Sequence, residues 1–388
     1  MFTLIKHLVV IFMDRTMKFL NNGLDFEKEF QFIEKIYKII SLDIFGGSKK
    51  VSKRFLLQSA IYFLFWLVVH FKNVFVDFVS DRAKQFTGII GISVFYQMIV
   101  KSYAICSQLD IVSKIKSTMT EDAMNTTEEE MQIEIKYRKY SRILIAGIAF
   151  LSCLVMGISV LWSLIFIKQM VMITNIQIPW TLPDTHPSHE INLIMMFLWQ
   201  LISTPLIASF DSFFILVTFH CVAKMSVCCS KASKIDGKTD ENFISDLVEK
   251  HLRVMEMIKI SAKIFNQTCF HQLFTTFGVI VCSTFNFTNR FELFPFVMLS
   301  AAILQLFFYC FLGNILSSMC EKFQESIYCS KWYEIESISI RKKILLILMM
   351  SQRRKEYSFF GIKPLNLETF ADVVKQAYTF INILLRLL

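Results

Sequence analysis

NLETFADVVKQAYTFINILLRLL, residues Asn366 to Leu388, is the stretch from which the rest of the chain is read. It is long enough to cross a bilayer as a helix, since a hydrocarbon core about 30 Å thick needs about 20 residues. Its polar residues do not scatter. Thr369, Asp372, Gln376 and Thr379 recur at helical steps, and the same stripe continues as Ile383 and Leu387. Lys375, Asn382 and Arg386 lie beside it. A helix that served only as an anchor would face lipid all round and carry no such groups. A stripe polar in its first half and apolar in its last turns fits a water-filled path that ends in a hydrophobic constriction. A bundle helix with buried polar partners fits the same pattern, so both readings stand at this point.

Composition sets the class. Of 388 residues, 54% are hydrophobic and only 19% charged, with 40 Phe and 19 Met. A mean hydropathy of +0.49 is far above what a water-soluble surface tolerates, so the chain is expected to be an all-α integral membrane protein. The opening residues MFTLIKHLVVIFMDR are interrupted by Lys6 and His7 and read as a cytosolic arm, not a signal peptide. The ten cysteines and seven histidines show no metal-ligand spacing, and no Gly-rich phosphate loop occurs. The expectation is no metal, no cofactor and no enzyme activity.

Apolar windows give seven spans, at about 55–71, 86–108, 143–167, 191–217, 264–285, 294–319 and 366–388. The seventh is the least hydrophobic and would escape a strict threshold. Of the 41 Lys and Arg, 33 fall in the N-terminal arm and loops two, four and six, and 5 in loops one, three and five. The positive-inside rule then puts the N-terminus in the cytosol and, after seven crossings, Leu388 outside. This topology is inverted relative to a G-protein-coupled receptor. The net charge of +9 is therefore membrane bias, not a footprint for nucleic acid.

The cytosolic loops are long and expected to be helical, with spans four and five projecting below the membrane. Glu128, Glu129 and Glu130 read as a solvated face. Ile344–Met350 is an apolar run too short to span, so it must be covered, and the space between subunits would cover it. The outer loop 168–190, with Pro179, Pro183 and Pro187, reads as a stiff cover or a tether. Lys101 and Asp211 fall near the cytosolic side of spans two and four, where snorkelling or mutual pairing is tolerable.

The C-terminal residues carry a resemblance. IYCSKWYEI (327–335), SQRRK (351–355), GIKPLNLETF (361–370) and AYTFINILL (377–385) follow one another in the order and spacing of the insect odorant receptors. Leu182-Pro183-Asp184 and the Pro187–Glu190 pair in the third loop also fit. Arg353-Arg354-Lys355 is more basic than the usual segment, and Thr379 stands where serine is common. The chain lacks the Thr-Tyr…Gln-Phe ending of the sister gustatory receptors.

The resemblance implies a tetrameric cation channel in the plasma membrane of a sensory neuron dendrite, opened by a volatile odorant and usually built with a shared co-receptor subunit. It divides the chain into a ligand-binding bundle (1–319), a cytosolic anchor (320–365) and a pore-lining helix (366–388). Asp372, Gln376 and Thr379 would face the hydrated pore, with the gate at Ile383 and Leu387. The odorant cavity would lie in the outer half of spans two, three, four and six. There the second span offers Ile92, Phe95 and Tyr96, and the third Ile158 and Trp162. The fourth offers Met195, Met196 and Trp199, and the sixth Phe296 and Ser300. Ordinary bundle packing accounts for the same aromatic and Met residues. The rivals are a gustatory-type channel, a G-protein-coupled receptor and a transporter, the last of which would show inverted repeats that this sequence lacks.

Overall fold

The computed structural model describes residues 30–31, 33–35, 37, 53–72, 74–75, 82–165, 178, 181, 185–289, 293–352 and 356–387. Nine α-helices run through the continuous segments: α1 (Lys53–Lys72), α2 (Arg82–Cys106), α3 (Leu109–Met124), α4 (Glu128–Ile165), α5 (Ser188–Ala232), α6 (Glu241–Asn289), α7 (Leu293–Tyr328), α8 (Ile338–Ser351) and α9 (Leu367–Leu387). Five stretches, Gln85–Cys106, Glu128–Ile158, Ser188–Ala232, Glu241–Phe287 and Pro295–Glu334, are long and apolar enough to cross a membrane. They match the second to sixth expected spans. In α1 the apolar part described is shorter, Ala60–Lys72. The seventh span is a helix of 21 residues, α9.

At 45 and 49 residues, α5 and α6 are each about 70 Å long, more than twice the hydrocarbon thickness. They therefore continue well beyond it, as expected for loop four. Around their lower halves α3 and the start of α4 pack through charge pairs. Lys224 bridges to Glu134 at 2.6 Å, and Lys231 to Glu130 at 3.1 Å. Lys250 also binds Glu130. Of the acidic run only part is solvated: Glu129 is exposed, whereas Glu130 is buried among these lysines. One residue turns the side chain by about 100° around a helix, which separates the two. Burial pushes the Asp122 carboxyl up, but its hydrogen bond with His220 and the charges of Lys224 and Arg253 outweigh it and hold the group below the ordinary carboxylate range.

The core where the helices cross is aromatic. Phe214 stacks on Tyr309 at 4.8 Å and meets Phe265 edge-on, also at 4.8 Å. Lys101 and Asp211 lie beside this cluster and pair with each other at 2.6 Å. Asp211 also accepts from the Tyr309 hydroxyl at 2.6 Å and from Gln305 at 2.8 Å, so all three donors converge on one carboxylate. Mutual pairing, one of the two expectations for these charges, is what the fold contains.

A two-stranded hairpin, β1 (Ser358–Phe359) and β2 (Lys363–Pro364), leads into α9. Its turn needs left-handed backbone at Phe360 (φ 54°) and Gly361 (φ 77°). The hairpin is held by the Asn266 side chain, which accepts from the Ser358 N–H at 3.0 Å. Gly313 of α7 admits the chain here, since a Cβ would fall 2.0 Å from the Leu365 carbonyl oxygen. Asn366 then caps α9 by accepting from the Thr369 N–H at 2.9 Å.

Candidate functional site

α9 has two faces. Thr369, Val373, Ala377 and Ile381 are buried, one helical turn apart. Ala377 and Ile381 pack on Ile280 and Val281 of α6, with Leu299 and Ile303 of α7 alongside. Thr369 thus leaves the expected polar stripe. Its hydroxyl donates to the Pro364 carbonyl at 2.9 Å, so it locks the hairpin to the helix instead of facing outward.

The other face of α9 is uncovered in the single chain. Lys375, Gln376, Tyr378, Thr379 and Ile383 are exposed on it, Ile383 at 51%. Asp372 is half-buried and pairs with Lys363 of the hairpin at 2.7 Å. Thr379 returns its hydroxyl to the Lys375 carbonyl at 3.0 Å. Leu387 is helical, and its side chain lies outside the described residues. A helix with one packed face and one free face, partly polar and partly apolar, is built to meet water or further chains along the free face.

The expected ligand residues fall into two groups. Phe95 and Trp199 are buried in an aromatic cluster with Trp66 and His70 of α1. Trp66 and Trp199 stand 5.6 Å apart, and Phe63 stacks on Phe95 at 5.4 Å. A second cluster joins Met196 and Ile158 to Ile90, Val279, Cys282 and Ala302. Two helices missing from the sequence-based list, α1 and α6, supply residues to these layers. Their apolar faces were visible, but which neighbour they cover was not.

The remaining candidates lie apart. Tyr96 is 37% exposed and bonds to His271 Nδ1 at 2.7 Å. Ile92 and Met195 are half-buried. Phe296 is exposed and meets Phe287 edge-on at 5.7 Å, while the exposed Ser300 hydroxyl donates back to the Phe296 carbonyl at 3.0 Å. Trp162 lies in α4, and its side chain is outside the described residues. In the outer loop, Asn192 at the start of α5 accepts from the Ile178 N–H at 2.9 Å and donates to the Thr181 hydroxyl at 3.0 Å. Pro179 and Pro183 lie outside the described residues.

Among the described residues no cluster of His, Cys, Asp and Glu is placed to hold a metal ion. A polar cavity of about 400 Å³ lies between α3, α4, α5 and α6. Its lysines and acids already pair with one another.

A sequence profile described as 7tm Odorant receptor matches residues 83–378. Odorant receptor 10 of Aedes albopictus is 24% identical over 156 residues, 39% of this chain and 41% of its own length. Odorant receptor 85f of Drosophila melanogaster is 22% identical over 163 residues, 41% of either protein. The matched stretch spans about two fifths of the length of these relatives. The olfactory receptor OR5 of the insect Machilis hrabei superposes with a TM-score of 0.79 in its complex with eugenol and 0.76 without. Identity is 15%, and the match covers 93% of this chain and 98% of that one. At that identity the likeness is one of fold.

Proposed function

This chain belongs to the 7tm odorant receptor family, a multi-pass membrane family of receptors, and on that premise we propose that it is a subunit of an odorant-gated cation channel. A small apolar volatile binds between the outer halves of the transmembrane helices and opens a pore lined by α9. The working parts are the bundle of 1–319, a cytosolic anchor of 320–365 and the pore helix of 366–388. The channel is a tetramer, built with a co-receptor subunit, in the plasma membrane of a sensory dendrite.

The observation that carries this reading is α9 itself. It packs one face on α6 and α7 and leaves Gln376, Thr379 and Ile383 uncovered. Four such faces around an axis enclose a path that is hydrated beside Asp372, Gln376 and Thr379 and narrows at Ile383 and Leu387. Closure is dewetting between apolar side chains. The anchor is supported by α8, which buries Ile340, Ile344 and Ile347 and exposes Leu345, Leu346 and Met349. An apolar face on the cytosolic side needs a cover, and a neighbouring subunit supplies it. Eugenol, bound by the Machilis receptor, sets a fitting size class for the ligand.

The inverted topology rests on the 33 basic residues assigned to the cytosolic side. It predicts that glycosylation mapping finds Asn125 unmodified, although this sequon is exposed at the end of α3. A glycan on Asn125 overturns the orientation. The sequon at Asn286 cannot serve as a control, because Asn286 is 1% exposed and donates to the Thr87 hydroxyl at 3.1 Å. The function is tested by whole-cell current during an odorant panel, in cells that also express an insect co-receptor, with G-protein signalling blocked. A fast cation current that survives the block is expected. Ligand-evoked signalling that the block abolishes would mean a metabotropic receptor.

A further inference from the structure

The aromatic cluster around Phe95 and Trp199 contains polar atoms that the bundle leaves unanswered. His70 is 2% exposed, and neither of its ring nitrogens has a hydrogen-bond partner among the described residues. The indole N–H of Trp199, which is 4% exposed, is in the same condition. The two rings stand 5.9 Å apart, edge to face, and His70 lies 5.7 Å from Phe95 and 5.9 Å from Trp66. Gly91 of α2 makes room for the imidazole: a Cβ there would fall 3.0 Å from Cε1 and 3.4 Å from Nδ1.

Packing alone does not account for this choice of residues. A buried polar group without a partner is destabilising, and Phe or Leu would fill such a position without that cost. Three helices nonetheless bring an imidazole and an indole together inside an apolar wall, and a glycine stands where the imidazole needs space. Gly91 is about 14 Å along α2 from its outer end and Trp199 about 17 Å along α5 from its own. Both depths fall in the outer half of the bundle, where the proposed odorant cavity lies.

We propose that His70, with Trp199 beside it, is the hydrogen-bonding end of the odorant cavity and selects ligands that carry a carbonyl, ester or hydroxyl oxygen on a compact apolar body. This rests on the ligand-gated reading above. An indole N–H can only donate, and a neutral imidazole offers one N–H and one lone pair. Together they satisfy a carbonyl oxygen through two donors, or a hydroxyl through one donor and one acceptor. A hydrocarbon of the same shape answers neither, and a charged ligand would lose its hydration inside an aromatic wall. A site built to hydrogen-bond discriminates far more sharply against the analogue that lacks the oxygen than an apolar pocket does against one methylene.

The test uses the purified full chain in lipid nanodiscs and matched probes: acetophenone with ethylbenzene, 2-heptanone with heptane, benzyl alcohol with toluene. Thermal unfolding is followed as each probe is titrated. At least one oxygenated probe should raise Tm at a concentration about tenfold or more below that needed by its hydrocarbon match. His70→Phe and Trp199→Phe should each erase that difference while leaving the hydrocarbon response. If His70→Phe does not fold, His70→Gln keeps a donor and an acceptor and should retain the preference, and Trp199→Phe carries the loss. Equal responses within every pair, no Tm shift with any probe, or a preference intact in both Phe variants overturns the proposal. Discrimination by a protein that passes no current upholds the site and removes only the channel reading.

Discussion

Replacing Asp211 by alanine should destabilise the protein by about 3–5 kcal/mol, a large share of the stability of an ordinary domain. The carboxylate is 5% exposed and is the meeting point of Lys101, Tyr309 and Gln305. Without it an ammonium that is 2% exposed loses its counter-charge, and two further donors lose their acceptor. The cost comes from the charge left behind more than from the pair itself. The double variant Lys101→Met/Asp211→Leu should therefore recover most of the loss, because it removes both charges and keeps apolar volume. Thermal unfolding of the detergent-solubilised proteins reads both effects. A single variant as stable as the parent would show that water or lipid headgroups reach Lys101 and that the pair is not a structural element.

The second large effect is on resting current. Ile383→Ala removes an exposed apolar side chain on the free face of α9, and Leu387→Ala removes the next apolar residue one helical turn on. If closure is dewetting at a ring of these side chains, smaller groups widen the ring and let water persist. The closed state then leaks, with resting cation current several-fold above the parent. Ile383 lies off the packed face that Ala377 and Ile381 form with α6 and α7, so surface expression of that variant should be preserved. Substitution on that packed face would confuse a folding defect with a gating effect.

Much of this was legible in the sequence, for reasons that particular residues make plain. Helical periodicity on a single element identifies the residues that share a face. It therefore groups Gln376, Thr379 and Ile383 along one side of the helix, and all three are exposed in the single chain. Depth along a helix placed Lys101 and Asp211 at compatible levels, and opposite charges in an apolar layer have few alternatives to pairing. Periodicity does not say what covers a face. Thr369 has the right spacing for the stripe, yet the hairpin that precedes α9 brings the Pro364 carbonyl to its hydroxyl and turns it inward. Glu130 reads as solvated until α5 and α6 bring Lys231 and Lys250 to it. His70 shows the same limit most clearly. On its own helix it looks like a basic residue near a membrane end, and only the approach of Gly91, Phe95 and Trp199 makes it a buried polar group.

The spacing of the C-terminal segments has a physical content as well. The Pro364-Leu365 pair seats the chain against Gly313, where any side chain would meet the Leu365 backbone. Phe370, five residues on, meets Phe307 of α7 edge-on at 5.7 Å. These contacts fix where α9 starts and which way it is turned. The rotation of the proposed pore face is thus set outside the pore, by packing on α6 and α7 and by the hairpin.

The measurement that bears most directly on α9 as the pore helix is resting whole-cell current for Ile383→Ala and Leu387→Ala beside the parent chain, at matched surface expression with the co-receptor present. A resting cation current several-fold higher than the parent's is expected in each variant. Resting and evoked currents indistinguishable from the parent in both variants would contradict a gate on this helix.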